Sequence, residues 1–224
     1  MKYILFLILT FSCIDLSSQV LNRYTRGTVY FLDGEVYDCE IGFPLLNKSG
    51  KLGLTVRSKN KLNVKSISGE KEKIENDEID YIVFEGEQGY FKLIWTYSLE
   101  YARKYKTKKS KKKSWYLEND NCEDIISYSW ADKYELDKNG AVSALYIGSN
   151  GFYGLYYLKR PNEEYPTLIC NMTDGFGIGF TKFNKKIFEE YFKDDSHAIQ
   201  FIDGRKKIKA EEIQNYIEDR CAEK

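Results

Sequence analysis

The chain has 224 residues, with 34 Lys and Arg set against 34 Asp and Glu, one His and five Cys. Hydrophobic residues make up 42%, charged residues 30% and aromatics 16%, and this balance excludes collagen-like, low-complexity and strongly basic nucleic-acid-binding classes. No apolar run reaches about 18 residues, which excludes a polytopic helical membrane protein, and a globular chain of this length buries roughly 70% of its unfolded surface.

The N-terminus carries the most specific signal. Lys2 precedes an almost wholly apolar run from Tyr3 to Phe11, and Ser12, Asp15, Ser17, Ser18 and Gln19 follow. A basic start, a short apolar run and a small polar end predict a secretory signal over residues 1–19, with the mature chain starting near Val20. A buried N-terminal strand or helix is the competing structural reading. A second processing route is open, because Thr10-Phe11-Ser12-Cys13 resembles a degenerate lipobox that would leave Cys13 lipidated, although Thr10 stands where an aliphatic residue is usual.

Removal of Cys13 leaves Cys39, Cys122, Cys170 and Cys221. In an oxidising compartment four thiols allow one or two disulfides, with three full connectivities; as free thiols they would act as small buried apolar residues. No pair has C-x-x-C spacing, so neither a redox motif nor a zinc ribbon is indicated.

Residues 20–100 read as an antiparallel β region. Thr28–Leu32 and Glu35–Ile41 flank Asp33-Gly34, a dipeptide that favours a two-residue turn. That register opposes Tyr30 to Tyr37 and puts Tyr30, Leu32, Tyr37, Cys39 and Ile41 on one face. Leu52, Leu54 and Val56 followed by Leu62 and Val64 predict a second hairpin. Tyr81–Phe84 and Tyr90–Tyr97 around Gly86–Gly89 predict a third.

Residues 101–114 (YARKYKTKKSKKKS) hold eight cations and no acid. Self-repulsion and low apolar content predict a mobile loop rather than a packed element. Lys108, Lys109, Lys111, Lys112 and Lys113 are the candidate binding residues, suited to an anionic lipid, lipopolysaccharide or another polyanion. A plain solvated connector is the competing reading. Acidic residues alternate with Lys71 and Lys73 between Glu70 and Asp80.

Residues 115–224 read as a second β-rich region closed by helices. Strands are predicted over 124–130, 143–147, 152–158 and 167–170, with Asn139-Gly140 and Asn150-Gly151 as turns. Tyr146, Phe152, Tyr153, Tyr156 and Tyr157 read as sheet core, with ring stacking on a ligand as the alternative. The period then changes. Phe183, Ile187, Phe188, Tyr191 and Phe192, and later Ile213, Tyr216, Ile217 and Cys221, fall at helical spacing, with a turn at Asp203-Gly204 between them. The predicted fold class is α+β: a mainly antiparallel sheet or partly open barrel with C-terminal amphipathic helices packed on it.

Catalytic signals are thin. His197, beside Asp194 and Asp195, has no nucleophile elbow accompanying it and reads as a residue just after a helix. No metal-binding motif is present. Asp174–Gly179 has G-x-G-x-G spacing without the dinucleotide-binding pattern, and Asn47 and Asn171 open formal glycosylation sequons. The residues supply no catalytic set, no metal site, no cofactor and no specific nucleic-acid partner.

The Ser-Ser-Gln leader end, Gly27–Gly34, Asp80–Phe84, Tyr156–Arg160, Tyr191–Asp194 and the stretch from Ile208 to Cys221 together resemble uncharacterised exported proteins common in Bacteroidetes. The resemblance spans most of the chain. Those proteins often carry Cys-Pro after Phe-Lys-Asp and Tyr-Asn before the last cysteine, where this chain has Asp195-Ser196 and Glu218-Asp219. A disulfide through that cysteine has no counterpart here. The resemblance implies a periplasmic, surface or secreted protein of a Gram-negative envelope and brings no catalytic residues. The expected function is a non-enzymatic binding or structural module of the cell envelope or secreted, with an anionic envelope component or another protein as its partner. The alternative is a carboxylate-dependent hydrolase of an envelope or extracellular polymer.

Overall fold

The computed structural model describes residues 24–42, 48–49, 55–56, 60–86, 89–101, 106–130, 133–136, 142–145, 155–171 and 180–222. The leader with Cys13, Leu52, Leu54, both Asn-Gly turns, Tyr146, Phe152, Tyr153 and the 174–179 glycine stretch lie outside them.

The first strands are β1 (Tyr24–Phe31), β2 (Val36–Gly42), β3 (Lys48–Ser49), β4 (Thr55–Val56), β5 (Lys61–Lys65), β6 (Lys71–Glu75), β7 (Ile79–Gly86) and β8 (Gly89–Thr96). There follow β9 (Leu99–Tyr101), β10 (Thr107–Lys109), β11 (Ser114–Asn121), β12 (Ile126–Trp130), β13 (Lys133–Leu136), β14 (Val142–Leu145), β15 (Leu155–Lys159) and β16 (Thr167–Asn171). The helices are α1 (Phe180–Tyr191), α2 (Ser196–Ile202) and α3 (Ala210–Ala222). Twelve strands form one open sheet in the order β10-β9-β16-β15-β12-β11-β8-β7-β1-β2-β5-β6, antiparallel except at β16–β9. The α+β class is therefore observed, as an open sheet with C-terminal helices. No described helix is long and apolar enough to cross a membrane.

The first hairpin corrects the expected register. Val29, not Tyr30, opposes Tyr37, because the connection has three residues, Leu32, Asp33 and Gly34. The Gly34 N–H donates to the Phe31 carbonyl at 3.1 Å and the Phe31 N–H to the Glu35 carbonyl at 2.9 Å. One position alone needs positive φ, and Gly34 takes it at 91°; a type I turn closed by a left-handed glycine is the common three-residue loop. A slip of one residue exchanges the faces of a strand. Leu32 accordingly stays 64% exposed while Val29 is fully buried.

The second hairpin joins β5 to β6, not β4 to β5; β4 pairs with β3. Its turn repeats the first: the Gly69 N–H donates to the Ser66 carbonyl at 2.9 Å, the Ser66 N–H to Glu70 at 2.8 Å, and Gly69 has φ 92°. The alternating Lys and Glu of the acidic stretch thus form β6, an edge strand whose charges discourage pairing with another chain. The third hairpin, β7–β8, has the expected place, with Gly86 opposite Gly89.

Correct alternation aligns one continuous row across eight strands: Tyr37, Val29, Ile82, Leu93, Leu117, Ser129, Tyr156 and Cys170. On β2, β5, β7, β8 and β11 this face carries Cys39, Ile41, Leu62, Val64, Phe84, Trp95 and Trp115, which with Val29 form one core. Gly27 belongs to it because a Cβ there would overlap the Val83 carbonyl oxygen. On β15 and β16 the same face meets the helices, where Tyr156, Leu158 and Ile169 pack with Ile187, Phe188, Phe192, Ile202, Ile213 and Ile217. Tyr156 and Tyr157 are both core, on opposite faces, since Tyr157 joins Tyr116 and Tyr128 in a third cluster.

Between the two larger cores the row turns polar. Buried Ser127 donates to Asp120 Oδ2 at 2.6 Å, and Ser129 accepts from the Asn119 amide at 2.9 Å. Buried hydroxyls persist because they are bonded.

Two local devices dock the helices. Arg160 Nη2 donates to the carbonyl of Tyr191 at the end of α1, 2.8 Å away, and the Tyr191 hydroxyl donates to Glu163 at 2.7 Å. At the other end Arg220 of α3 donates to Asp124 Oδ2 at 2.7 Å and to Asp195 Oδ2 at 2.6 Å. Asp195 also caps α2, its Oδ1 accepting from the Ala198 N–H at 3.0 Å. The Cys122–Cys221 disulfide joins the same two elements across a sequence separation of 99. Closing a loop of that length lowers the entropy of the unfolded chain by about 4–5 kcal/mol.

Burial by itself would raise the Asp195 pKa, but the Ala198 N–H and the Arg220 guanidinium outweigh it and hold the carboxyl below its usual value. Its contribution to stability is therefore complete above the unfolded value of about 3.9 and is lost as pH falls through the lower folded value. Arg220→Ala should cost about 1.5–3 kcal/mol at neutral pH. It should also flatten the loss of stability below about pH 4 in denaturant melts; an acid limb identical to that of the parent would show that the pair contributes nothing.

Candidate functional site

The described residues of the expected Lys-rich loop, 101 and 106–114, include the end of β9, all of β10 and the start of β11. Lys108 and Lys109 lie on β10, paired with Glu100 and Leu99 of β9, and Lys111–Lys113 form the turn into β11. The cations separate because strand pairing carries the first two to the edge of the sheet while the turn brings the last three back towards β8. Lys109 is taken up internally: its ammonium lies 4.1 Å from the Tyr97 ring centre and 4.0 Å from that of Tyr165. Such cation–ring contacts hold an ammonium in place.

Lys111, Lys112 and Lys113 line a recess of about 640 Å³ with Asn60, Lys61, Asn63, Lys73, Asp77, Trp95 and Tyr97. Each wall has a local cause. Asn63 and Lys73 are direct cross-strand partners, and alternation places them on the face of β5–β6 opposite Leu62 and Val64. Asp77 sits in the 3₁₀ turn Asn76–Glu78 that joins β6 to β7. Trp95 is buried beside Trp115, with its indole N–H turned to Asp77.

Asp77 organises the electrostatics. Its Oδ1 accepts from the Lys113 ammonium at 2.8 Å and from Trp95 Nε1 at 3.0 Å. These two bonds, Lys113 first, hold its carboxyl below the usual carboxylate range against a small opposing effect of burial. Lys61 is paired with Glu75. The ammonium groups of Lys73, Lys111 and Lys112, the amides of Asn60 and Asn63, and Asp77 Oδ2 have no side-chain partner among the described residues. Among the described residues the recess therefore combines three cations without a side-chain partner, two neutral amides and one carboxylate kept ionised.

Sequence reasoning located Lys111, Lys112 and Lys113, but not Asn60, Asn63, Lys73, Asp77, Trp95 or Tyr97. The signal for the second wall was the repeated turn chemistry: Phe31–Glu35 (FLDGE) and Ser66–Glu70 (SISGE) share glycine and glutamate at the same places. Lys108 is outside the lining.

A second recess, about 760 Å³, is lined by Asp124, His197, Gln200, Phe201, Tyr216, Asp219 and Arg220. His197 is in the first turn of α2, not after a helix, so a C-terminal dipole does not act on it. Its neighbour Asp195 is committed to Ala198 and Arg220. Of the four candidate disulfide cysteines, Cys122 and Cys221 are bonded, and Cys39 and Cys170 are buried free thiols. Burial pushes the Cys39 thiol up to about 11 and that of Cys170 higher still, so neither is a ready nucleophile. The described residues hold no His, Cys, Asp and Glu group able to bind a metal ion.

Comparison with protein-family models, curated proteins and solved structures finds no match.

The Asp77 carboxyl carbon, followed by NMR through an acid titration, should show a midpoint below about 3.9, because its partners favour the charged form. In Lys113→Gln the midpoint should move upward. An unchanged midpoint would mean that the ion pair does not exist in solution.

Proposed function

We propose that this protein is an exported, non-enzymatic binding module that holds an anionic component of the cell envelope in the recess formed by Lys73, Lys111 and Lys112. The observation that carries the reading is the convergence on one concavity of three ammonium groups, from two distant parts of the chain, that have no side-chain partner among the described residues. Cations brought together by strand pairing and not neutralised by neighbours make a local positive potential, and the neutral net charge of the chain does not cancel it at short range. Export is supported by the leader pattern of residues 1–19 and by the resemblance to exported Bacteroidetes proteins. The Cys122–Cys221 disulfide fits a periplasmic, surface or secreted location, since such bonds persist in oxidising compartments.

Hydrolysis of a polymer by carboxylates needs two acids about 5–9.5 Å apart across a substrate. Among the described residues Asp77 is the one carboxylate in the lining of the cationic recess, and it already serves Lys113 and Trp95. Binding is the reading that this arrangement favours.

Replacing Lys73, Lys111 and Lys112 together by Gln should weaken retention on lipopolysaccharide at low salt by at least about tenfold. Raising the salt should weaken the parent towards the variant. Lys108→Gln, on the β10 edge, should leave retention close to that of the parent. Equal retention of the triple variant and the parent would eliminate this function for the recess.

A further inference from the structure

Resting on the anion-binding reading above, we infer that the recess is a saccharide site: it takes a sugar ring that carries an anionic substituent, with the ring hydroxyls bound as well as the charge. Three features of the lining point beyond a bare anion or a flat charged surface.

The first is Asp77. A site for phosphate or sulfate alone gains nothing from an ionised carboxylate in its lining, which repels the ligand. Here the carboxylate is kept ionised by Lys113 and Trp95 Nε1, both bonded to Oδ1, so Oδ2 stays available as a strong acceptor. Hydroxyl groups are donors that match such an acceptor, and a charged acceptor makes the stronger kind of hydrogen bond. The second feature is the pair of amides. Asn60 and Asn63 each present a carbonyl oxygen and an NH₂ group, the combination that binds a hydroxyl as donor and acceptor at once. Asn63 lies directly across the strand pair from Lys73, so a neutral amide and a cation stand side by side in fixed register.

The third feature is shape. A recess of about 640 Å³ lies within the range of sites that enclose a small ligand. A lipid bilayer presents a flat array of charges, which a recess cannot follow. The cations are all Lys, point charges that suit a compact phosphate or carboxylate without demanding a planar fork geometry. The ligand that fits carries an anionic substituent for Lys73, Lys111 and Lys112 and hydroxyls for Asn60, Asn63 and Asp77 Oδ2. The anionic substituent is a phosphate or a carboxylate, and the sugar is free or the headgroup of a glycolipid.

The test is calorimetric titration of the full mature chain with a hexosamine phosphate, a galacturonic acid trisaccharide, the matching neutral trisaccharide, inorganic phosphate, phosphatidylglycerol vesicles and oligothymidylate. Both anionic sugars should bind at least about tenfold tighter than inorganic phosphate and than the neutral trisaccharide, which corresponds to about 1.4 kcal/mol. Tighter binding of the phosphate or of the uronic sugar identifies the substituent. Asn63→Ala, on a half-exposed strand position, should weaken the anionic sugars severalfold and leave inorganic phosphate unchanged, whereas the Lys triple variant should weaken both. Inorganic phosphate binding as tightly as the sugars, with no effect of Asn63→Ala, would overturn the saccharide site and leave anion binding standing. Preference for vesicles or for oligothymidylate would overturn it as well. No binding of any of the six probes would overturn both this inference and the function proposed above.

Discussion

The whole molecule depends on one constraint: strict alternation of side chains across an open sheet whose register is set by its turns. A three-residue loop with left-handed Gly34 puts Val29, not Tyr30, against Tyr37. From that point the row continues through Ile82, Leu93 and Leu117 to Tyr156 and Cys170 without a break in face. A shift by one residue at this hairpin would put Tyr30 and the exposed Leu32 on the face of Cys39 and Ile41 and turn Val29 to the opposite face. The same turn, repeated at Gly69, faces Asn63 and Lys73 away from the core by placing Leu62 and Val64 within it. Core and recess are thus two consequences of a single alternation.

Two apolar cores share this sheet face, and a polar seam divides them. In the first, strands β1, β2, β5, β7, β8 and β11 supply the buried side chains. In the second, β15 and β16 are covered by α1–α3. The seam at Asn119, Asp120, Ser127 and Ser129 falls where β11 changes register against β12. The helical cover is fastened at both ends, by Arg160 on the end of α1 and by Arg220 with the Cys122–Cys221 bridge on α3. A charged bond network and a covalent bond at one place act on different states. The ion pairs stabilise the folded helix, while the disulfide limits the freedom of the unfolded chain.

Much of the fold was legible because its signals are local. The β7–β8 hairpin, strands β12, β15 and β16, and helices α1 and α3 announce themselves by alternation or by helical spacing in a short window. β6 was not legible, because its Lys-Glu alternation carries no apolar face and its place is fixed by pairing with β5. β11 was missed in the same way: Ser114–Asn121 mixes two polar ends with Trp115, Tyr116 and Leu117, which are all buried on both faces of a central strand. The seven-residue α2 is too short for a periodic signal, and its cap Asp195 read instead as a neighbour of His197. Half of the recess was visible as a lysine run. The other half was not, since Asn63, Lys73 and Asp77 are ordinary surface residue types until strand pairing brings them opposite Lys111–Lys113.

In the function proposed above, the recess gives a neutral chain a way to recognise a charged ligand. Lys109 is held between Tyr97 and Tyr165, Lys113 by Asp77 and Lys61 by Glu75, so three cations of the region shape the site rather than offer charge to a ligand. Lys73, Lys111 and Lys112 remain for binding. Lysine acylation footprinting of the protein with and without lipopolysaccharide tests this division most directly. The account predicts strong protection of Lys73, Lys111 and Lys112 on addition of the ligand, with Lys108 as reactive as before. Equal protection of every lysine from Lys106 to Lys113, with Lys73 unaffected, would contradict it.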